Sequence, residues 1–219
     1  MSQRLRWVLA STNAGKLKEF EALLKDLPVE VISPSCSLPP IEETGTSYLE
    51  NALIKARAWA QATGLCTLAD DSGLEVEAIG GAPGVHSARF GGGGDAAARN
   101  AKLLRLLQDV PLEKRNAKFR CVLVLLHPAQ PERFLWVEGE CTGRITLSPR
   151  GEHGFGYDPI FEVSPHLLSL LPNRSPHQHL TLSELHPEEK NKISHRAQAV
   201  AQLKKRWDEV KALCQEQEG

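Results

Sequence analysis

The chain carries the stretch Ala69-Asp70-Asp71-Ser72-Gly73-Leu74 directly after a short apolar run, Leu65-Cys66-Thr67-Leu68. An apolar run of this length predicts a buried strand that ends where the two aspartates begin. Because successive side chains of an extended chain point to opposite faces, both aspartates can face one ligand only if the chain turns here. Ser72 and Gly73 are typical turn residues. The sequence therefore predicts a strand that ends in an acidic turn.

Two adjacent carboxylates in a partly buried position repel each other, and each resists ionisation unless a cation lies nearby. Oxygen ligands on a loop at the end of a strand suit Mg²⁺, which takes one or two carboxylates and leaves its other positions to water and phosphate. An ordinary surface turn explains the same four residues and, taken alone, is the commoner arrangement. Both interpretations stay open on this stretch alone.

The composition of the 219 residues is that of an ordinary globular protein. Hydrophobic residues make up 41% and charged residues 24%, and 26 Lys and Arg nearly balance 27 Asp and Glu. Balanced charge offers no field to attract a large polyanion, so no nucleic-acid partner is expected. The longest apolar run, at residues 121–126, is too short for a membrane span, and the N-terminus lacks a secretory apolar region. No membrane partner is expected either.

The cysteines are five in number and widely spaced, with no Cys-x-x-Cys pair. This pattern argues against a disulfide framework and against a structural zinc site. Cys66 and Cys121 lie in apolar runs, where a reduced cysteine acts as a small hydrophobic residue. A reducing compartment fits best, which predicts a cytoplasmic protein.

The loop Ser11-Thr12-Asn13-Ala14-Gly15-Lys16 joins a predicted strand at residues 6–10 to a helical apolar pattern that begins at Leu17. A loop in this position presents free backbone N–H groups, and the helix dipole favours an anion there. Lys16 adds a positive charge. The spacing is not that of a P-loop, Gly-x-x-x-x-Gly-Lys-Ser/Thr, so a P-loop NTPase is not supported. A plain turn with a solvated lysine explains the loop about as well.

Glu42 and Glu43 precede a predicted helix, which Thr46 or Ser47 caps and which runs to Ala62, with Gly64 just past its end. The helix dipole by itself favours acidic residues at this place. Alternatively, one of the two glutamates brings a carboxylate to the same metal ion as Asp71. Lys55 lies inside the helix, where a lone lysine ordinarily occupies a solvated face.

The C-terminal half holds a glycine and aromatic loop, Gly154-Phe155-Gly156-Tyr157-Asp158-Pro159. Glycines let the backbone approach a flat ligand closely, and a ring can stack on it; the rings can equally serve as packing. Further on, Ser194 is the predicted N-cap of the final helix. His195 and Arg196 then lie in the first turn, where the helix dipole disfavours basic residues. Binding an anion or contacting a base would explain this unfavourable charge, and so would ion pairs with Glu188 or Glu189 across the cap.

The remaining segments alternate between predicted strands and helices. Asp95 caps a helix whose leucines at 103, 104, 106 and 107 are predicted to be core, and glycines 91–94 predict a flexible connector. The segment 164–186 contains four of the eight histidines, but its prolines favour a surface loop over a metal site. The further predicted strands lie at residues 29–32, 75–79, 118–126, 133–138 and 160–163, with a Pro-rich loop through Pro39-Pro40.

Taken together, these loops, carboxylates and basic residues fit a nucleotide polyphosphate bound with Mg²⁺. The chain closely resembles the inosine/xanthosine triphosphate pyrophosphatases, which hydrolyse deaminated purine nucleoside triphosphates. The matching stretches occur in family order over nearly the whole chain. They are residues 11–16, 42–45, 50–52, 55–56, 69–74, 80–84, 87–89 and 154–159, Lys190, and Ser194-His195-Arg196.

This resemblance implies a mixed α/β fold with an elongated central sheet and flanking helices. It further implies one domain over residues 1–219, with two lobes around a nucleotide-binding cleft, and a homodimer. The implied reaction uses Mg²⁺ to release pyrophosphate from ITP, dITP or XTP and leaves the monophosphate. Two departures stand out: His153 replaces a common glycine, and the segment 164–186 is longer than expected.

The resemblance also assigns roles to individual residues. Asp71 is the implied proton acceptor and a metal ligand, Glu42 or Glu43 completes the metal site, and Lys55 and Asp70 join Asp71 as catalytic residues. The implied substrate contacts are Ser11, Thr12, Asn13, Ala14, Gly15 and Lys16 for the triphosphate, Ser72 and Lys55 for the phosphates, and Phe155, Gly156, Tyr157, Asp158, Lys190, His195 and Arg196 for the nucleoside.

Two other functions remain open at this point. A pyrophosphatase for modified pyrimidine or other nucleotides fits, because the same phosphate chemistry serves any base. A nucleotide-sensing module that binds without hydrolysis also fits, although the paired aspartates beside a glutamate argue against it.

Overall fold

The computed structural model describes residues 4–32, 38, 41–92 and 95–215. Its six-stranded sheet has the order β2-β1-β3-β4-β5-β6. The strands are β1 (Leu5–Leu9), β2 (Val29–Ile32), β3 (Cys66–Val76), β4 (Asn116–Leu126), β5 (Phe134–Ile145) and β6 (Phe161–Val163). The helices are α1 (Ala14–Leu24), α2 (Tyr48–Thr63), α3 (Ala96–Leu106), α4 (Pro165–Leu168), α5 (Pro187–Ile193), α6 (His195–Lys205) and α7 (Trp207–Gln215). The predicted mixed α/β fold with a central sheet is confirmed.

Strand directions are mixed within this sheet. Strand β1 pairs in parallel with β2 and with β3, and β5 pairs antiparallel with β6. The register of β1 with β3 sets Trp7 opposite Cys66 and Leu9 opposite Leu68. The Pro-rich loop at Pro39-Pro40, the last two glycines of the predicted connector and Cys36 lie outside the described residues.

The chain divides into two compact units. The first comprises Met1–Asp71, Cys121–Gly139 and Ala199–Gly219, and the second comprises Ser72–Arg120 and Glu140–Gln198. Strands β3, β4 and β5 and helix α6 contribute residues to both units. The single domain of two lobes with a cleft stays a prediction.

Helix α2 begins after the predicted cap at Ser47 and ends at Thr63, one residue beyond the predicted end at Ala62. The Ser47 hydroxyl accepts a hydrogen bond from the Glu50 N–H at 3.2 Å, which satisfies a free donor of the first turn. Gly64 follows the last turn with φ +66°, a left-handed conformation that glycine adopts without steric cost, and its N–H donates to the Ala60 carbonyl. These local caps set where α2 begins and ends.

Strand β3 is longer than predicted and does not turn at Ser72-Gly73. It continues to Val76, so the acidic pair lies within the strand. The separate strand predicted at 75–79 is instead the last two residues of β3 followed by a 3₁₀ turn at Glu77–Ile79. The prediction of an acidic turn is therefore wrong. Because β3 lies between β1 and β4, pairing satisfies its backbone and overrides the turn preference of serine and glycine.

The segment 164–186 is also not the predicted surface loop. Five leucines at positions 167, 168, 171, 182 and 185 are buried in the core of the second unit. The Val163 N–H donates to the Leu180 carbonyl at 2.9 Å, and Glu162 forms a β-bridge with Thr181. The prolines mark turns, whereas the leucines supply the burial that holds the segment in place.

A bidentate ion pair holds this segment to helix α5. Arg174 donates to both carboxylate oxygens of Glu189 at 2.6 and 2.8 Å. These hydrogen bonds lower the pKa of Glu189 from 4.5 to about 2. The carboxylate is thus more stable ionised in the folded protein than in the unfolded chain.

We expect Arg174→Met to lower the free energy of unfolding by about 1 kcal/mol at neutral pH, a small value because both side chains are partly solvated. The lowered pKa of Glu189 makes this contribution complete above about pH 4.5, and it is lost as the pH falls towards about 2. Urea unfolding of both proteins across this range measures the difference. The exposed pair of Arg57 and Glu132 gives the control Arg57→Met, with no expected loss. A loss for Arg174→Met that does not change with pH would contradict this account.

One pair of cysteines forms a disulfide, which the sequence did not predict. A disulfide joins Cys66 at the start of β3 to Cys214 in α7, across 148 residues of sequence. Cys66 is therefore not the reduced residue that the sequence predicts, because the C-terminal helix returns to the first unit's sheet, which residue spacing cannot show. Cys121 and Cys141 are buried and form no disulfide, and burial raises the pKa of the Cys141 thiol to about 12.

Two smaller differences concern the helices. Leu106 is 52% exposed, so only part of the α3 leucine stripe is core. The final helix predicted from one apolar stripe is divided into α6 and α7 around Arg206. Among the described residues, no helix combines the length and the apolar character that a membrane crossing needs.

Candidate functional site

The loop before α1 has the predicted position between a strand and the N-terminus of a helix. Asn13 is the N-cap of α1, and its side-chain oxygen accepts the Lys16 N–H at 3.1 Å. The Ser11 hydroxyl in turn accepts the Asn13 N–H at 3.2 Å. Thr12, Asn13 and Ala14 are exposed, so the start of the helix is open to a ligand. Its assignment to a triphosphate stays a prediction.

Lys16 reaches from α1 to the first aspartate of the acidic pair. Its Nζ lies 2.7 Å from Asp70 Oδ1, and the aspartate is 2% exposed. The Cys121 thiol lies 3.9 Å from the other oxygen of Asp70. Asp70 therefore fixes the position of the loop lysine, which remains partly exposed.

Asp71 points to the opposite face of β3 and meets helix α2. Lys55 Nζ lies 2.8 Å from Asp71 Oδ1 and 3.0 Å from Glu43 Oε1. The Lys55 side chain is only 11% exposed, so it does not lie on a solvated helix face as a lone lysine ordinarily does. Glu42 is exposed, so Glu43 is the glutamate that the chain brings to Asp71. We call Glu43, Lys55 and Asp71 the carboxylate cluster.

Burial and charge act against each other in this cluster. Burial raises the pKa of Asp71, and the nearby Lys55 ammonium opposes that rise without cancelling it. Burial also works to lower the pKa of Lys55, but the carboxylates of Asp71, Asp70 and Glu43 raise it overall. The lysine is therefore held as a cation, and Asp71 becomes a better proton acceptor than an exposed aspartate.

One residue of α2 was not assigned any role from the sequence. Asn51 is fully buried, its side-chain oxygen accepts the Gly45 N–H at 2.8 Å, and its amide nitrogen lies 3.4 Å from Asp71 Oδ2. It precedes Lys55 by one helical turn, so both project from the same side of α2. This spacing in the sequence could have placed Asn51 near Asp71, but only once Lys55 is known to face Asp71.

The donor set of the carboxylate cluster suits a hard divalent cation. Oxygens of Asp71 and Glu43 converge to within 2.8 and 3.0 Å of one nitrogen, as two ligands of one ion must. Among the described residues, no three His, Cys, Asp or Glu side chains form a metal-binding group. A cation held by Asp71 and Glu43 would have two protein ligands, with its other positions left to water and phosphate.

In the second unit, the glycine and aromatic loop is held by a buried ion pair. Lys190 Nζ lies 2.6 Å from Asp158 Oδ2, and the two side chains are 5% and 4% exposed. The same Asp158 oxygen accepts the Phe155 N–H at 2.9 Å. The Phe155 ring lies 4.7 Å from Lys190 Nζ and 5.5 Å from the Arg196 guanidinium carbon. These four residues form the aromatic cluster.

The two basic residues after Ser194 are both buried. Arg196 donates to the Ser72 hydroxyl at 2.8 Å, and the His195 ring stacks on Phe119 with centroids 4.7 Å apart. Ser194 acts as predicted, since its hydroxyl accepts the Ala197 N–H at 3.2 Å. Glu189, offered from the sequence as a partner of the basic residues, pairs instead with Arg174.

Gly156 and Tyr157 are fixed by neighbours in the same unit. The Tyr157 hydroxyl donates to the Ser87 carbonyl at 2.8 Å, and burial raises the pKa of the phenol to about 12. The Asn100 amide donates to the Gly156 carbonyl at 3.1 Å. Tyr157 is buried while Phe155 stays partly exposed, so Phe155 is the ring of this loop that a ligand can reach.

The sheet and its flanking helices define a mixed α/β protein with a carboxylate cluster at one face of the central strand. The chain matches the model of the Ham1 family over residues 7–206, and it belongs to that family. It is 47% identical over 206 residues to a dITP/XTP pyrophosphatase of Geobacillus kaustophilus, covering 93% of this chain and 94% of the relative. It is 48% identical over 200 residues to a dITP/XTP pyrophosphatase of Pseudomonas aeruginosa, covering 91% and 95%.

A solved structure gives the same assignment. The HAM1 protein of Coxiella burnetii superposes with a TM-score of 0.79 at 44% sequence identity, covering 94% of this chain and 99% of that one. The family resemblance inferred from the sequence motifs is thereby confirmed.

Proposed function

We propose that this protein hydrolyses deaminated purine nucleoside triphosphates, dITP, XTP and ITP, to the monophosphate and pyrophosphate. The observation that carries the proposal is the carboxylate cluster, in which Lys55 lies within 3.0 Å of both Asp71 and Glu43. Relatives named dITP/XTP pyrophosphatase, matched over more than 90% of this chain, support the substrate class.

The phosphate-binding role falls to cationic and neutral donors of the first unit. The open N-terminus of α1 and the partly exposed Lys16 offer backbone N–H groups and a charge to phosphate oxygens. Lys55 adds a second cation, which the neighbouring carboxylates keep protonated despite its burial. Charge-assisted hydrogen bonds of this kind contribute about 1.5 to 3 kcal/mol each.

Asp71 is the residue that accepts the proton of the attacking water. The water oxygen forms a bond to the α-phosphorus, the bond from the α-phosphorus to the bridging oxygen breaks, and pyrophosphate leaves with the electron pair. Because burial raises the pKa of Asp71, its carboxylate is a stronger base than one in water.

Asp71 and Glu43 are the residues that would hold Mg²⁺. When bound, Mg²⁺ supplies charge neutralisation for the phosphates and lowers the pKa of a water ligand. Glu42 is exposed, which supports Glu43 as the second ligand.

Base selection rests on donors around Phe155. Lys190 and Arg196 are cations close to its ring, and they can donate to the 6-keto oxygen of hypoxanthine or xanthine. Adenine carries an amino group there, so a donor would face a donor. A site that leaves a buried donor unpaired rejects such a base strongly.

The test is pyrophosphate release from a panel of dITP, XTP, ITP, GTP, dATP, dUTP and dTTP, with Mg²⁺ or with excess EDTA. We expect dITP and XTP to exceed dATP in kcat/KM by at least about 10²-fold, and EDTA to stop turnover. Fastest turnover of dUTP or dTTP would favour the pyrimidine alternative, and binding without any pyrophosphate would favour a sensing module. The homodimer stays a prediction of the resemblance, and the cytoplasmic location stays a prediction of the cysteine pattern.

A further inference from the structure

The carboxylate cluster has a second connection besides Lys55. Lys55 occupies one oxygen of Asp71, and the amide of Asn51 faces the other at 3.4 Å. The two residues are one helical turn apart on α2, so together they contact both oxygens of the carboxylate. Such a two-point hold fixes the plane of a carboxylate, which one contact does not.

Asn51 also contacts the loop that carries Glu43. Its side-chain oxygen accepts the Gly45 N–H at 2.8 Å, two residues beyond Glu43. The loop approaches closely, because a Cβ on Gly45 would lie 2.7 Å from Asn51 Oδ1 and 2.6 Å from Glu50 Cβ. Position 45 therefore has no room for a side chain while this contact is kept.

We propose that Asn51 is a positioning residue that sets the separation and orientation of Asp71 and Glu43 through one amide group. Its oxygen holds the Glu43 loop and its nitrogen holds Asp71, so the two carboxylates stay directed at a common point. The inference rests on the proposed function for its catalytic consequence, but the geometry it describes belongs to the protein without substrate.

Three variants separate this role from simple packing. Asn51→Ala removes both contacts, Asn51→Asp keeps an acceptor for Gly45 but loses the donor to Asp71, and Gly45→Ala forces the loop away. Partners that orient metal ligands typically contribute 10-fold to 100-fold to activity or metal affinity. We expect all three variants to lower kcat for dITP by at least about 10-fold with KM within about threefold.

A second readout needs no substrate. Calorimetric titration of the nucleotide-free protein with Mn²⁺, used as the probe, should show roughly 10-fold weaker binding for Asn51→Ala and Gly45→Ala. The matched control is Ser47→Ala, which removes the N-cap of the same helix and lowers thermal stability without touching Asp71. Its kcat and Mn²⁺ affinity should equal those of the wild type.

The outcomes are distinct. Wild-type kcat in Asn51→Asp would overturn the inference, as would equal kcat and Mn²⁺ affinity in Asn51→Ala and Ser47→Ala. If the wild type releases no pyrophosphate from any nucleotide, the proposed function fails, while the Mn²⁺ titrations still decide whether Asn51 holds the two carboxylates.

Discussion

We expect Asp71→Asn to lower pyrophosphate release from dITP by roughly 10³-fold while the nucleotide still binds. General-base catalysis contributes about 10² to 10⁴, and an amide cannot accept the proton of the attacking water. The amide oxygen can still accept the hydrogen bond from Lys55, so the helix contact is largely kept. Single-turnover kinetics and calorimetric dITP binding measure the two effects separately.

Asp70→Asn is the matched control for this experiment. Asp70 lies next to Asp71 but holds Lys16 at 2.7 Å, so its loss should weaken phosphate binding and raise KM more than it lowers kcat. The account is contradicted if Asp71→Asn keeps full activity, or if Asp70→Asn alone abolishes the reaction.

The second large effect concerns the buried pair of Lys190 and Asp158. We expect Lys190→Met to lower the free energy of unfolding by about 3 to 5 kcal/mol, because it leaves the Asp158 carboxylate buried without its partner cation. Both side chains are at most 5% exposed, so water cannot compensate. Denaturant unfolding at neutral pH measures the loss.

The double variant Lys190→Met with Asp158→Asn identifies the cause. The asparagine is neutral and its oxygen can still accept the Phe155 N–H, so it should recover a substantial part of the lost stability. Two results would show that the pair is not held as described. One is a loss of unfolding free energy in Lys190→Met below about 1 kcal/mol. The other is a loss in the double variant that exceeds the summed losses of Lys190→Met and Asp158→Asn.

Local chemistry accounts for the features that the sequence predicted well. Ser47, Gly64 and Asp95 act as helix caps in the structure, because capping depends on residues only a few positions apart. The position of the loop 11–16 at the start of α1 follows from the same local signals. Motif resemblance then identified the family.

Features that depend on distant neighbours were predicted badly. The turn expected at Ser72-Gly73 is absent because β3 is paired along the sheet, and Lys55 is buried because it lies over Asp71. The contacts of Asn51 and the disulfide of Cys66 with Cys214 likewise need chain segments that meet only in the folded protein. Propensity describes a residue's own preference, and sheet pairing and burial override it.

The most direct test of the central claim is ³¹P NMR of XTP incubated with the protein and Mg²⁺. The account predicts xanthosine monophosphate and pyrophosphate in equal amounts, with no orthophosphate and no nucleoside diphosphate. Orthophosphate released together with the nucleoside diphosphate, or an unchanged XTP spectrum, would contradict it.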